Sequence, residues 1–249
     1  MSSGKNIRLG LLSLAAAAMV AALYLALVYA PEEASMGQVQ RIFYFHVASG
    51  WTALLAFTVV FAASIAYLRG RDPRWDALAL SAAEIGVLFT TLILLTGSLW
   101  AKPAWGTWWT WDPRLTTTLV LWLIYVSYLL LRGAVEGPTQ RATFAAVVGI
   151  VGFVDAPIVF MSIRWWRTIH PVVVETSGFQ MAGPMVVALL GALVAFSLLF
   201  AWLLALRFSL EQARMDVGYL RHRLGLLASA RQPVGIRPAA EPGGPAFSE

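Results

Sequence analysis

PMVVALLGALVAFSLLFAWLLALRF, Pro184 to Phe208, is a run of 25 residues whose only charge is Arg207, next to its end. A hydrocarbon core about 30 Å thick is crossed by roughly 20 consecutive apolar residues, so this run reads as a membrane-spanning helix. Five more runs read the same way: Leu9 to Ala30, Val47 to Leu68, Ala77 to Ala101, Leu115 to Leu131 and Ala142 to Ile163. The expectation is an all-α polytopic membrane protein of six transmembrane helices. The whole composition agrees, being 59% hydrophobic and 12% charged with a mean hydropathy of +0.71, which excludes an ordinary water-soluble globule. The first run follows Lys5 and Arg8 as a secretory leader would, but it is too long for one and no clear cleavage site follows, so it is read as a retained helix.

Basic residues accumulate in cytoplasmic loops, and their distribution here orients the chain. Thirteen of the eighteen Lys and Arg residues fall on one side, and only Arg41, Lys102, Arg114, Arg164 and Arg167 fall on the other. Both termini are therefore expected in the cytoplasm, with longer outer connections at roughly 31–46, 102–114 and 164–183. The same distribution explains the net charge of +5 as a topology signal rather than a nucleic-acid surface. Residues 1–208 form the expected membrane domain, and 209–249 a charged cytoplasmic segment ending in a disordered tail rich in Pro and Gly. No phosphate-binding GxxxxGK[ST] loop occurs, which weighs against an ATP-hydrolysing component. The chain has no cysteine, which excludes disulfides, thiolate metal sites and CxxC redox chemistry.

The chemistry-bearing residues gather at the outer boundary. His46 stands in RIFYFHVASGW and His170 in RWWRTIHP, whereas His222 lies in the cytoplasmic segment. A single interfacial histidine is usually a solvated or hydrogen-bonded side chain. Two of them on separate outer connections are a different matter, because paired imidazoles can clamp both faces of a heme. With no CxxCH motif, such a heme would be non-covalent, of the b type. Eight of the eleven tryptophans lie at or near this same face, and five fall within the twelve positions 100–111. An aromatic belt would populate both interfaces, so the asymmetry calls for another cause. Trp105, Trp108, Trp109 and Trp111 in a loop bent by Pro103, Gly106 and Pro113 can present flat rings to a flat macrocycle.

Arg41, Arg114, Arg164 and Arg167 are candidate partners for heme propionates, since guanidinium groups pair with carboxylates in a fork. Asp112 and Arg114 are also expected to pair with each other and stiffen the loop. Glu84 and Asp155 are ionisable groups inside apolar helices and hence functional candidates. For Glu84, pairing with Arg74 or a neighbouring helix is the competing reading; Asp155 precedes Pro157, which loosens the fifth helix.

The segment WGTWWTWDPRLT, Trp105 to Thr116, together with FYFHVASGW and PIVFMSIRWWRTIHP, resembles the heme exporter protein C (cytochrome c maturation protein C) family of tryptophan-rich heme-handling membrane proteins. The motif follows that family's WGxxWxWDxRLT pattern, and the resemblance runs from about Arg41 to Pro184. It implies heme binding at the periplasmic face of a bacterial inner membrane, with His46 and His170 as axial ligands and Trp105, Trp108, Trp109, Trp111, Asp112 and Arg114 around the cofactor. It further implies delivery to a periplasmic heme chaperone, cytochrome c maturation protein E. Cytochrome c maturation proteins A and B, which form an ABC transporter, and the small cytochrome c maturation protein D are the other implied partners. Pro171 departs from the polar residue this family leads one to expect after the second histidine.

Such a protein handles heme rather than catalysing a reaction, and no nucleophile, base and orienting group cluster in the sequence. A b-type electron-transfer cytochrome would need a second histidine pair at the inner face, which the chain lacks. A permease or channel component for heme or another small molecule is the remaining alternative; its helices would be expected to carry more polar midplane groups.

Overall fold

In the computed structural model the described residues are 2–171, 174–175, 178–179 and 181–230, with side chains described for all of these except 2–5, 174–175, 179 and 225–230. The expected disordered tail, Arg231 to Glu249, lies outside them. The chain divides into a compact unit, Met1–Glu211, and a second, Gln212–Glu249, whose described residues are helical.

Helix α1 (Ser2–Tyr24) ends in one wide turn, Leu25–Tyr29, and α2 (Ile42–Gly70) follows a short 3₁₀ turn at Gln38–Arg41. Then come α3 (Pro73–Trp105), α4 (Pro113–Ala134), α5 (Pro138–Phe153), α6 (Asp155–Trp165) and α7 (Gly183–Ala230). Between α6 and α7 a small antiparallel pairing joins β1 (Val174–Glu175) to β2 (Gly178–Phe179). Six helical stretches among the described residues are long and apolar enough to cross a membrane, as expected, with α5 and α6 together making one.

Several helix starts follow one sequence device. Asp72 before Pro73 and Asp112 before Pro113 each accept the backbone N–H two residues on, while proline occupies the first helical position, where no N–H partner is needed. Gly137, at φ 84°, makes the equivalent turn into Pro138. The fifth run is expected as one helix, yet it breaks at Val154. Pro157 has no N–H to give the carbonyl four residues back, so the ladder is interrupted where the sequence placed the loosening.

In lipid, helices associate through close packing, and the core here is built from small residues that allow it. Ala48, Ala53, Ala56 and Ala63 of α2 and Ala79, Ala82 and Ala83 of α3 are buried. Gly86 lies so close to the Phe57 ring that a Cβ would fall 2.4 Å from it, and Phe57 in turn stacks on Tyr125 of α4 at 3.7 Å. Polar ties close the end of the bundle far from His46 and His170. Arg132 of α4 meets Asp76 of α3 through two hydrogen bonds of 2.5 and 2.7 Å. Glu84 of α3 pairs with Arg207 of α7, which also bonds Glu211, so Glu84 finds a neighbouring helix; Arg74 instead pairs with Asp72.

The Arg132–Asp76 side chains are only 10% and 17% exposed. Removing one member of a buried pair strands the other charge, at a cost of about 3–5 kcal/mol. Asp76→Ala is expected to lower thermal stability in detergent clearly, and the double change with Arg132→Ala to lower it less, as read by a melting curve. Equal melting of wild type and Asp76→Ala would remove this tie from the account.

Candidate functional site

Helix α2 begins at Ile42 rather than near Val47, so His46 sits in its second turn instead of at a loop junction. Helix α3 continues through Pro103 to Trp105, which shortens the expected 102–114 loop to residues 106–112. Thr96, Gly97 and Trp100 of α3 lie alongside His46. The His46 Nδ1 is 2.9 Å from Thr96 Oγ1, and the Trp100 ring meets the imidazole edge-on at 5.9 Å.

His170 reaches the same place from the segment after α6. Its ring centroid is 6.5 Å from that of His46, with 33° between the planes. A metal–imidazole bond is about 2 Å and the ring centre lies about 1.1 Å further out, so two imidazoles on opposite sides of one metal have centres about 6.3 Å apart. The observed separation fits that arrangement. The His170 Nδ1 is 3.2 Å from the carbonyl oxygen of Pro171. A carbonyl only accepts, so Nδ1 carries the proton and donates, and Nε2 keeps a free lone pair. Pro171, the departure from the expected polar residue, thus supplies the acceptor through its backbone.

Asp112 fastens the His170 segment. Its Oδ1 accepts the Arg114 N–H at the start of α4, while Oδ2 accepts from the Thr168 hydroxyl at 2.7 Å and the Ile169 N–H at 3.0 Å. Thr168 Oγ1 then accepts the His170 backbone N–H at 3.0 Å. The expected Asp112–Arg114 ion pair is absent among the salt bridges of the described residues, because the carboxylate is turned toward Thr168 and Ile169. Arg114 remains close enough for its charge to act on His170.

The tryptophans divide into two groups. Trp105 meets His170 edge-on at 6.4 Å and Trp100 meets His46, whereas Trp108 and Trp111 are 56% and 76% exposed. Trp109 packs against Trp111, and Lys102 lies over Trp108. Of the other candidate arginines, Arg41 is engaged with the Leu27 carbonyl. Beside the histidine pair opens a cavity of about 390 Å³, walled by Phe43, Trp100, Pro171 and Met36, Met181 and Met185. The Trp100 indole nitrogen and Gln40 Oε1 at its lining are buried without a hydrogen-bond partner. Asp155, expected as a candidate, also has a buried oxygen with no hydrogen bond.

Burial lowers the His170 pKa to about 4, and the Arg114 charge adds to the effect. The imidazole is thus neutral, as a metal ligand must be, across neutral and mildly acidic pH. The unfolded chain takes up a proton on this histidine near its ordinary value of about 6.5, which the folded chain refuses. Stability is expected to fall as pH drops from about 6.5 to about 4, and His170→Gln is expected to flatten that slope in apo-protein melting curves; an unchanged slope would refute the shift.

Thr96, Gly97 and Thr168 lie at this site but escaped the sequence reading, and Trp100 was counted with the outer-face tryptophans without being singled out as a site residue. The one available signal was Thr96 one helical turn before Trp100, which puts both on one helix face.

Comparison with known proteins places these residues in context. The family model described as Heme exporter protein C matches residues 2–222. Heme exporter protein C of Bradyrhizobium diazoefficiens is 40% identical over 176 residues, 70% of this chain and 67% of that protein. Heme exporter protein C of Haemophilus influenzae is 32% identical over 76% of this chain and 78% of its own length. A putative cytochrome c biosynthesis ccmC-like mitochondrial protein of Marchantia polymorpha is 37% identical over 60% of this chain, which spans only 63% of that relative. The match extends across both histidine segments and the tryptophan-rich loop between them, and the chain belongs to the heme exporter protein C family.

Proposed function

We propose that this protein binds heme b non-covalently at the periplasmic face of a bacterial inner membrane and delivers it to a periplasmic heme chaperone for c-type cytochrome maturation. The observation that carries this reading is the pair of imidazoles, His46 and His170, set 6.5 Å apart beside Trp100 and Trp105. Heme is the cargo. His46 and His170 hold its iron, Trp105 and Trp109 flank the macrocycle with Trp108 and Trp111 at its exposed rim, and Arg114 meets a propionate. Asp112 serves the site by holding the His170 segment, since a carboxylate repels propionates.

The relatives' names speak of heme export and cytochrome c biosynthesis, which supports a heme-handling role over catalysis. The proposed partners are the chaperone cytochrome c maturation protein E, the ABC transporter formed by cytochrome c maturation proteins A and B, and the small cytochrome c maturation protein D. The proposed topology places both termini in the cytoplasm, on the basic side, with residues 1–208 as the heme-handling domain and 209–249 as a cytoplasmic extension. A site at the bundle's rim suits this task, because cargo must be captured firmly and then released sideways.

The test is purification from a heme-replete membrane, with an absorption spectrum and identification of bound proteins. A low-spin heme spectrum, and loss of that heme to added apo-chaperone, is the expected result. Protein isolated without heme, and unable to take up hemin, would overturn the reading. Substrate flux through vesicles containing only this chain would instead favour the permease.

A further inference from the structure

The Thr96 hydroxyl donates to the Leu92 carbonyl at 2.6 Å, the usual backbond of a threonine inside a helix. A hydroxyl has one proton, so toward any other neighbour this oxygen can only accept. Its other neighbour is His46 Nδ1, at 2.9 Å. The contact therefore requires the proton on Nδ1, which leaves Nε2 bare. Gly97 completes the seat, since a Cβ there would lie 3.2 Å from His46 Cε1 and press on the ring. Trp100, one turn on, closes the same side edge-on.

We propose that Thr96 is the positioning residue that fixes the tautomer and rotation of His46 and so presents Nε2 to the heme iron. The inference rests on the reading of His46 as an iron ligand and adds which nitrogen ligates and what selects it. It also makes the two histidines equivalent by different means. His170 gives its Nδ1 proton to a backbone carbonyl, and His46 gives its own to a side chain whose acceptor role is imposed by the helix. Outer groups that orient a ligand in this way typically govern metal affinity by about 10–100-fold.

The experiment is titration of hemin into the purified full-length protein for wild type, Thr96→Val, Thr96→Ser and His46→Ala, followed by optical and ferric electron paramagnetic resonance spectra. Valine keeps the shape and removes the acceptor; serine restores it. Thr96→Val is expected to bind hemin about 10–100-fold more weakly and to shift or broaden the low-spin signal, whereas Thr96→Ser stays within about threefold of wild type with its spectrum intact. If His46→Ala loses binding while Thr96→Val keeps both affinity and spectrum, this inference falls and the ligation reading stands. If His46→Ala binds hemin as wild type does, both fall. Nitrogen-15 spectra of histidine-labelled apo-protein decide the point even if the valine variant fails to fold: a protonated Nδ1 on His46 is expected, and a protonated Nε2 with bare Nδ1 overturns the proposal.

Discussion

Protein in which both His46 and His170 are replaced by alanine is expected to show no Soret band after hemin titration at concentrations that saturate wild type. Each imidazole is half-buried at the same end of the bundle, and their rings are 6.5 Å apart, the spacing of two ligands sharing one metal. The chain has no cysteine, and its third histidine, His222, belongs to the separate C-terminal unit; the thioethers of Met36, Met181 and Met185 line the adjoining cavity, so the double variant also tests whether they can hold the iron. Each single replacement is expected to weaken hemin binding by at least about tenfold and to convert a six-coordinate low-spin spectrum into a five-coordinate one. The two singles need not sum to the double, since the surviving imidazole still tethers the iron. A double variant with an unaltered Soret band would show that the iron is held elsewhere.

The second large effect is expected at Asp112, although this residue touches neither histidine ring. Its carboxylate is 8% exposed and accepts hydrogen bonds from Arg114 N–H, Thr168 Oγ1–H and Ile169 N–H. A hydrogen bond to a charged group contributes about 1.5–3 kcal/mol, and two of the three hold the segment that carries His170. Asp112→Ala also removes the N-terminal cap of α4, worth roughly 0.5–2 kcal/mol. The expected result is a loss of about 100-fold in hemin affinity together with a lower melting temperature. Asparagine separates the two contributions. Its side chain has one acceptor oxygen and an amide that donates, so it can cap α4 or hold the Thr168–Ile169 pair, but not both. Asp112→Asn is expected to lose only about tenfold in affinity while keeping most of the stability. Unchanged hemin binding in the alanine variant would mean that the His170 segment is held by other contacts.

These two sites also mark the boundary of what the residues disclose in one dimension. The six spans were legible because each is an apolar run long enough to cross a bilayer, a property of composition that needs no partner. A loosening near Asp155 was legible too, since proline acts on its own helix, but the run was read as one helix and the full break at Val154 was not. The helix ends were less so. An α3 that stops at Ala101 and one that continues to Trp105 differ only in whether Pro103 is tolerated near a helix terminus; the helix runs through it and ends where Gly106 takes φ 75°. Asp112 was read as a partner for Arg114 two residues away, the nearest opposite charge. The carboxylate instead serves Thr168 and Ile169, more than fifty positions distant, a choice that local spacing cannot reveal.

From its sequence alone this protein is a six-span membrane chain with histidines and tryptophans crowded toward one surface, because hydropathy and residue chemistry act locally along the chain. Only the tertiary structure decided that His46 and His170 meet, that Thr96 rather than another hydroxyl faces the first, and that Asp112 holds the second. Those contacts depend on how each helix is rotated about its axis and where its neighbour ends. The rotation is set by small-residue packing between helices, which no single run of residues specifies.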